Sequence, residues 1–312
     1  MRYLSYILMC LLVFSSCGKD ADDINNNFGQ EVINGFVVNW DRQTTEDQHE
    51  AITEILNDMV FVKGGTFVMG ATIEQVMTGE PRNNEYPAHF VQISDFYICK
   101  HEFESSKKRN LYWNYNTSKY SGLSWFYFNE IILQLRAVTG LNFDFPTEAQ
   151  WEYAARGGNM SKGYVYPGSN NLQDVWGGKE GSSTPLFSNT PNELGICNMA
   201  DGRSEWCKDY YTNYSNKESL QLDPVVAFGE FHVIRGGDYF QSKPHKTNYT
   251  STSMKEREKQ RWQESITYPT NDQSACRISF RSSARNYSST SLKDDTDLSR
   301  STIRLVINIG TK

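Results

Sequence analysis

The residues in this chain that could do chemistry are six cysteines, five histidines and a few closely spaced acids. Cys10 and Cys17 lie in or just after an N-terminal apolar run and belong to an export signal. That leaves Cys99, Cys197, Cys207 and Cys276 for the folded protein. Four thiols in an exported chain suit disulfides, and three pairings are open. None stands in a CxxC, and no cysteine–histidine group has the spacing of a zinc site. His49, His89, His101, His232 and His245 are scattered, which suits packing or surface roles rather than ligation. Glu148 and Glu152 lie four residues apart, on one face of a helix, where two carboxylates could work as a pair. Arg156 follows four residues after Glu152, so ion pairing on a helix surface explains these acids more simply. No GxSxG, Walker or dinucleotide-binding glycine pattern occurs, and Gly64-Gly65, Gly157-Gly158 and Gly236-Gly237 read as turns.

The elements that must hold these groups are sparse. The 312 residues are 38% hydrophobic, enough for a large core in one or two domains. Tyr 18, Phe 17 and Trp 7 suit a fold in which large rings fill space between irregular segments. Ile52, Ile55, Leu56 and Met59 give a short amphipathic lead-in helix within residues 36–58. Phe61–Gly70 reads as a hairpin around Gly64-Gly65, and His89–Lys100 alternates like a pair of strands. Residues 124–139 read as a helix between an N-cap at Ser124 and a stop at Gly140. A second helix follows Phe145-Pro146-Thr147, with Thr147 as cap, Trp151, Ala154 and Ala155 on one face, and Gly157-Gly158 at its end. Phe231–Phe240 is a strand broken by a glycine pair. Cys276–Tyr287 and Ser301–Ile309 supply the last strands, and residues 160–230 and 241–275 are mostly loop. Two helices, short strands and long loops make an α+β domain. Loops of this length need pinning by ions, disulfides or buried rings.

The N-terminus has a positive residue at Arg2, an apolar run at Ile7–Phe14 too short to span a bilayer, and Ser15-Ser16 before Cys17. This resembles a lipobox and implies a signal peptide over residues 1–16, with Cys17 as the lipid-bearing first residue of the mature chain. Residues 17–35 read as a flexible tether rich in Asn, Asp and Gly. The acids after Cys17 resemble the surface-export signal of Bacteroidetes-type lipoproteins. The expected location is therefore the cell envelope, as an outer-membrane lipoprotein, with periplasmic and surface orientations both open. Net charge is −6, with no basic stripe interleaved with aromatics, so nucleic acid is not an expected partner.

Five segments, in order, resemble the formylglycine-generating enzyme (sulfatase-modifying factor) family. They are Phe61–Gly70; Glu85–Val91 with Phe96–Lys100; Ser124–Gly158; Asn192–Trp206; and Ile234–Tyr239. The resemblance implies that residues 59–312 form the family's variant of the C-type lectin fold, with two packed helices. Oxidising members of the family convert a protein cysteine to formylglycine, using copper held by two cysteines on a C-terminal strand. In the matching run Ser282 takes the place of the second cysteine, and the first falls on Arg277, with Cys276 one residue away. A one-residue offset on a strand turns a side chain to the opposite face, and a hydroxyl does not replace a thiolate for Cu(I). Copper is therefore not expected, and Cys276 is the one thiol that could act in a surviving oxidase.

The resemblance also implies a calcium turn at Asn198, Asp201, Arg203 and Glu205, with Asp201 and Arg203 contributing backbone carbonyls. Oxygen ligands from a tight loop suit this hard ion. A second calcium site would start at Asp174 and Val175. Arg235, Arg285 and Arg304 are expected to form structural salt bridges. The leading expectation is a lipid-anchored, non-catalytic binding or assembly module for an envelope protein or glycan, with loops 160–190 and 241–275 as its interaction face. The alternative is a formylglycine-generating-type oxidoreductase acting on a cysteine of a sulfatase or another protein.

Overall fold

The computed structural model describes residues 28–72, 83–103, 124–175, 190–200, 203–215, 219–236, 278, 281–285 and 301–309. The first strands, β1 (Gln30–Ile33) and β2 (Phe36–Asn39), form an antiparallel hairpin. Asn34 and Gly35 turn it with φ of 48° and 84°. Two successive left-handed residues match the twist of the strands, and Asn-Gly is the pair that adopts them most readily. Residues 30–33 were expected in the flexible tether, but the Asn-Gly turn and the inward faces of Ile33 and Phe36 commit them to the fold.

Helix α1 (Glu46–Asp58) follows, closed at its start by a capping box between Thr45 and Gln48. Its buried face is Gln48, Ala51, Ile52, Ile55 and Leu56, the spacing the sequence indicates. Strand β3 (Met59–Val62) and strand β4 (Gly65–Met69) come next, yet they do not pair with each other. β3 pairs with β6 (Phe96–Cys99), and β4 pairs with β5 (His89–Ile93). The expected Gly64-Gly65 hairpin is instead a crossing between two sheets. At Gly64 a Cβ would lie 2.2 Å from the Ile93 carbonyl oxygen, so only glycine lets the two backbones pass this closely. Likewise β5 and β6 are consecutive strands but belong to different sheets.

Helix α2 (Trp125–Thr139) runs as expected, from a Ser124 cap to Gly140 in the left-handed region. It leads through β7 (Phe143–Asp144) into helix α3 (Glu148–Ala155), which Thr147 and Gln150 cap reciprocally. All eight residues of α3 are buried, so this short helix is enclosed by the molecule. After a one-turn helix at Leu172–Val175 come β8 (Glu205–Tyr210), β9 (Gln221–Leu222), β10 (Phe231–Arg235), β11 (Ser282–Arg285) and β12 (Val306–Asn308). The larger sheets have orders β3-β6-β12-β7, β11-β10-β8 and β4-β5-β9. One buried cluster joins the N-terminal hairpin, α1 and α2; a second surrounds α3. Mixed helices and short strands, in four small sheets among the described residues, make the fold α+β, as expected.

Candidate functional site

The β11-β10-β8 sheet and helix α3 enclose the densest group of charges among the described residues. Glu148 and Glu152 face inward, so the expected surface pairing is corrected. Arg156 does bond Glu152, at 2.7 Å, but the Glu152 side chain is fully buried. Arg235, from the end of β10, bridges both acids, reaching Glu148 at 2.9 Å and Glu152 at 2.8 Å. Arg281, beside β11, grips Glu148 with two N–H bonds, at 2.6 Å and 2.7 Å. Two parallel bonds from a planar guanidinium fix orientation as well as distance. Burial would raise the Glu148 carboxyl, but Arg281 and Arg235 outweigh it and hold the group below its ordinary value.

This network fixes the strand that carries Ser282. The Arg281 guanidinium lies 4.0 Å from the Tyr214 ring centre and 4.7 Å from that of Tyr211. It also donates to the Thr212 carbonyl at 2.8 Å. The Asn84 amide donates to the Arg281 carbonyl and to the Tyr211 hydroxyl. Backbone pairing then sets Ser282 opposite Ile234. Cys276, Arg277, Asp201, Cys17 (the expected lipid site) and the 241–275 loop lie outside the described residues, as does the side chain of Arg285.

A second charged group sits at the start of β8, around Glu205. Glu205 is buried and accepts from the Trp151 indole at 2.9 Å and from Arg304 at 2.8 Å and 3.2 Å. Arg304 also donates to the carbonyls of Cys99, Lys100 and Cys197. A guanidinium has five N–H groups, and here each has an acceptor. Arg235 and Arg304 are thus structural bridges, as expected. Asn198 is buried with φ of 64°, and the Arg203 side chain lies 3.6 Å from Glu102. Of the expected calcium ligands, Asn198, Arg203 and Glu205 are among the described residues, and the Glu205 carboxylate is already engaged by Trp151 and Arg304. A dication there must share the Glu205 carboxylate with Arg304. Asp174 accepts from Ser169 and Asn171, while Val175 packs with Val165, Tyr166 and Ala200.

The described cysteines and histidines hold structural places. Cys197 and Cys207 are free thiols, and the buried Cys99 thiol points to the Ile55 carbonyl. Burial first, then the Glu148 charge, pushes the Cys207 thiol well above its ordinary value, so it stays protonated. His49 bonds Glu31 and His101 bonds Asp58, each at 2.7 Å. His89 meets the Pro87 carbonyl at 3.0 Å. His232 is buried between the rings of Trp125 and Tyr210, with centres 4.2 Å and 4.0 Å away. Its burial lowers the ring to about 4.

One important group escaped the sequence reading. Asp209 is buried on β8, two residues beyond Cys207 and four beyond Glu205, on the face those side chains share. Its carboxylate accepts from the Glu148 N–H at the start of α3 and from the Val226 N–H of the following loop. Burial first and the Glu148 charge second raise it to about 7. The alternation Glu205, Cys207, Asp209 on a strand beside a helix start was the available signal.

Known proteins agree with this architecture. The family model for the sulfatase-modifying factor enzyme 1-like domain matches residues 112–267, half of the chain. The chain belongs to this family. It is similar to the formylglycine-generating enzyme of Streptomyces coelicolor, 36% identical over 110 residues, covering 30% of this chain and 35% of that enzyme. It is also similar to the serine/threonine-protein kinase Pkn1 of Chlamydia trachomatis, 26% identical over 253 residues, covering 70% of this chain and 38% of the kinase. The chain thus spans between a third and two fifths of the length of these relatives. Among solved structures, PvdO from Pseudomonas aeruginosa shares the fold, with a TM-score of 0.56 and 17% identity over 80% of this chain and 94% of PvdO.

Proposed function

We propose that this sulfatase-modifying factor domain serves as a non-catalytic binding or assembly module, held at the cell envelope by a lipid on Cys17. The reading is carried by Ser282. It occupies the place of a copper-binding cysteine on a strand whose backbone is fixed through Arg281, Asn84 and Ile234. A serine hydroxyl at that fixed place does not supply the soft thiolate that Cu(I) requires. Cys99 and Cys207 are buried in the two core clusters and offer no replacement pair. A partner in this proposal is an envelope protein or a glycan. Calcium at the 198–205 turn belongs to the same proposal, with Asn198, the carbonyls of Asp201 and Arg203, and Glu205 shared with Arg304. A divalent ion of this kind would cross-link the turn that leads into β8.

The test takes the mature protein through two measurements. Anaerobic titration with Cu(I) should show no stoichiometric site, and incubation with copper, oxygen and a cysteine-containing sulfatase peptide should yield no aldehyde. Stoichiometric copper with aldehyde formation overturns the module and restores the oxidoreductase reading, with Cys276 as its thiol. Pull-down of the lipidated protein from its native envelope, with and without EDTA, should return a defined partner. Loss of that partner in EDTA would tie calcium to recognition.

A further inference from the structure

Helix α3 and the loop after β9 are tied to one buried carboxylate. Asp209 accepts the Glu148 N–H at 2.8 Å through one oxygen and the Val226 N–H at 2.9 Å through the other. The loop has fixed points on both sides of this bond. Asp223 accepts from the backbone N–H and the hydroxyl of Ser94, at 2.7 Å and 2.6 Å. The Val226 carbonyl accepts from Tyr210 N–H, and Gly229 passes so close to Tyr210 that a Cβ would lie 2.6 Å from the ring-bearing Cβ. Held in this way, the loop presents Val225 at 45% and Phe228 at 89% exposure. An aromatic ring left this open on a tethered loop is an ordered apolar surface, and its order decides what docking there would cost in entropy.

We propose that Asp209 is a proton-operated latch: its carboxylate holds the 223–229 loop in register, and protonation releases the Val226 end of that grip. A carboxylate offers acceptors on both oxygens, whereas a carboxylic acid keeps one good acceptor and turns the other oxygen into a donor. The Glu148 N–H belongs to a fully buried helix with its own cap at Thr147, and the positive end of that helix holds the remaining oxygen. Val226 lies in an exposed loop and gives way. Charged and titratable groups meet Asp209 from each neighbouring element. Glu148 on α3 opposes its charge, and Arg281 beside β11 favours it. His232 on β10 contacts its backbone carbonyl, and Cys207 shares its strand face. Burial and Glu148 outweigh Arg281 and the two N–H bonds, which brings the titration to about 7. The inference rests on this geometry and holds for a catalytic or a non-catalytic domain.

Hydrogen–deuterium exchange of the full mature chain, corrected for intrinsic rates, tests the latch between pH 8 and pH 5.5. Protection over residues 223–229 should fall about tenfold as pH drops, the effect of losing one charge-assisted hydrogen bond. Protection of α3 should stay level. In Asp209→Asn, whose amide has one acceptor, the loop should exchange at the low-pH rate throughout. Loop protection that is flat with pH in the unaltered protein, or a pH step that survives in Asp209→Asn, overturns the proposal. If that variant does not fold, the carboxyl carbon of Asp209 is followed by NMR in the unaltered protein. Its titration should coincide with the loop transition, and a carboxyl that stays ionised across the range overturns it equally.

Discussion

Single residues here act through burial. Arg304 satisfies Glu205 and three carbonyls from two other segments, with no solvent to replace it. Removing one partner of a buried, hydrogen-bonded pair strands the other charge, which costs about 3–5 kcal/mol. Arg304→Met should therefore lower the stability measured by urea unfolding by roughly that amount. A loss below about 1 kcal/mol would mean that the carboxylate has another counter-ion, and bound calcium would be the first candidate. The buried titratable groups act in opposite directions. His232 is lowered to about 4, so as pH falls the unfolded chain takes up that proton first. Its contribution is complete above about 6.5 and lost as pH drops toward 4. Asp209 is raised to about 7, so the native state keeps a proton that the unfolded chain has already released. Its contribution is present at low pH and declines as pH rises from about 4 to 7. Stability differences between the unaltered protein and each variant separate the two. The difference against His232→Phe should grow with rising pH, and that against Asp209→Asn should shrink. Parallel curves would show that neither ring nor carboxyl is perturbed.

Elements depend on a few backbone positions. The Gly64 crossing passes β3 and β4 into separate sheets, where any side chain meets the Ile93 carbonyl. Gly64→Ala should cost about 1–3 kcal/mol, the range for forcing atoms into packed space. Thr147→Ala, which removes half of the α3 capping box, should cost about 1 kcal/mol. Thermal denaturation ranks the pair, and Thr147→Ala proving the more damaging would show that the strands can separate at Gly64. The same two places show what the sequence disclosed. Cap residues and apolar periodicity act within one turn, so α2 and α3 were legible with their ends and α1 by its buried face, while Phe36–Asn39 of the expected lead-in helix form β2. Strand partners are set by contacts between distant segments, so β3–β4 read as a hairpin while the chain crosses between sheets. In the site, Arg235, Arg304 and Glu205 were legible as charges. Their grouping was not, because Glu148 looked like a helix-surface acid until the enclosure of α3 was known. Asp209 was missed because a strand acid gives no sign of burial until the neighbouring helix is placed.

At the scale of the whole molecule, the lead-in segment is inseparable from the domain. The sequence sets a boundary at residue 59, with a tether and helix before it. Yet Ile33, Phe36, Val38 and Trp40 of the hairpin, and Ile52, Ile55 and Leu56 of α1, all lie in the core cluster that includes α2 and Trp206. Burying a large apolar side chain is worth roughly 1.5–3 kcal/mol, so these side chains together outweigh the about 5–15 kcal/mol by which a domain is ordinarily stable. Their removal would also uncover Phe128, Ile131 and Leu135 on α2. A chain shortened to residues 59–312 should therefore fail to unfold cooperatively and should aggregate, whereas one beginning at Phe28 should match the mature protein. Circular dichroism with heating, together with light scattering, distinguishes them. A soluble 59–312 chain with a sharp transition would show that the hairpin and α1 are an appendage. The expected failure would place the start of the folded unit at Phe28. If the proposed lipid on Cys17 is present, about ten residues would then separate it from the fold, roughly 35 Å when fully extended, and the domain would sit close to the surface that anchors it.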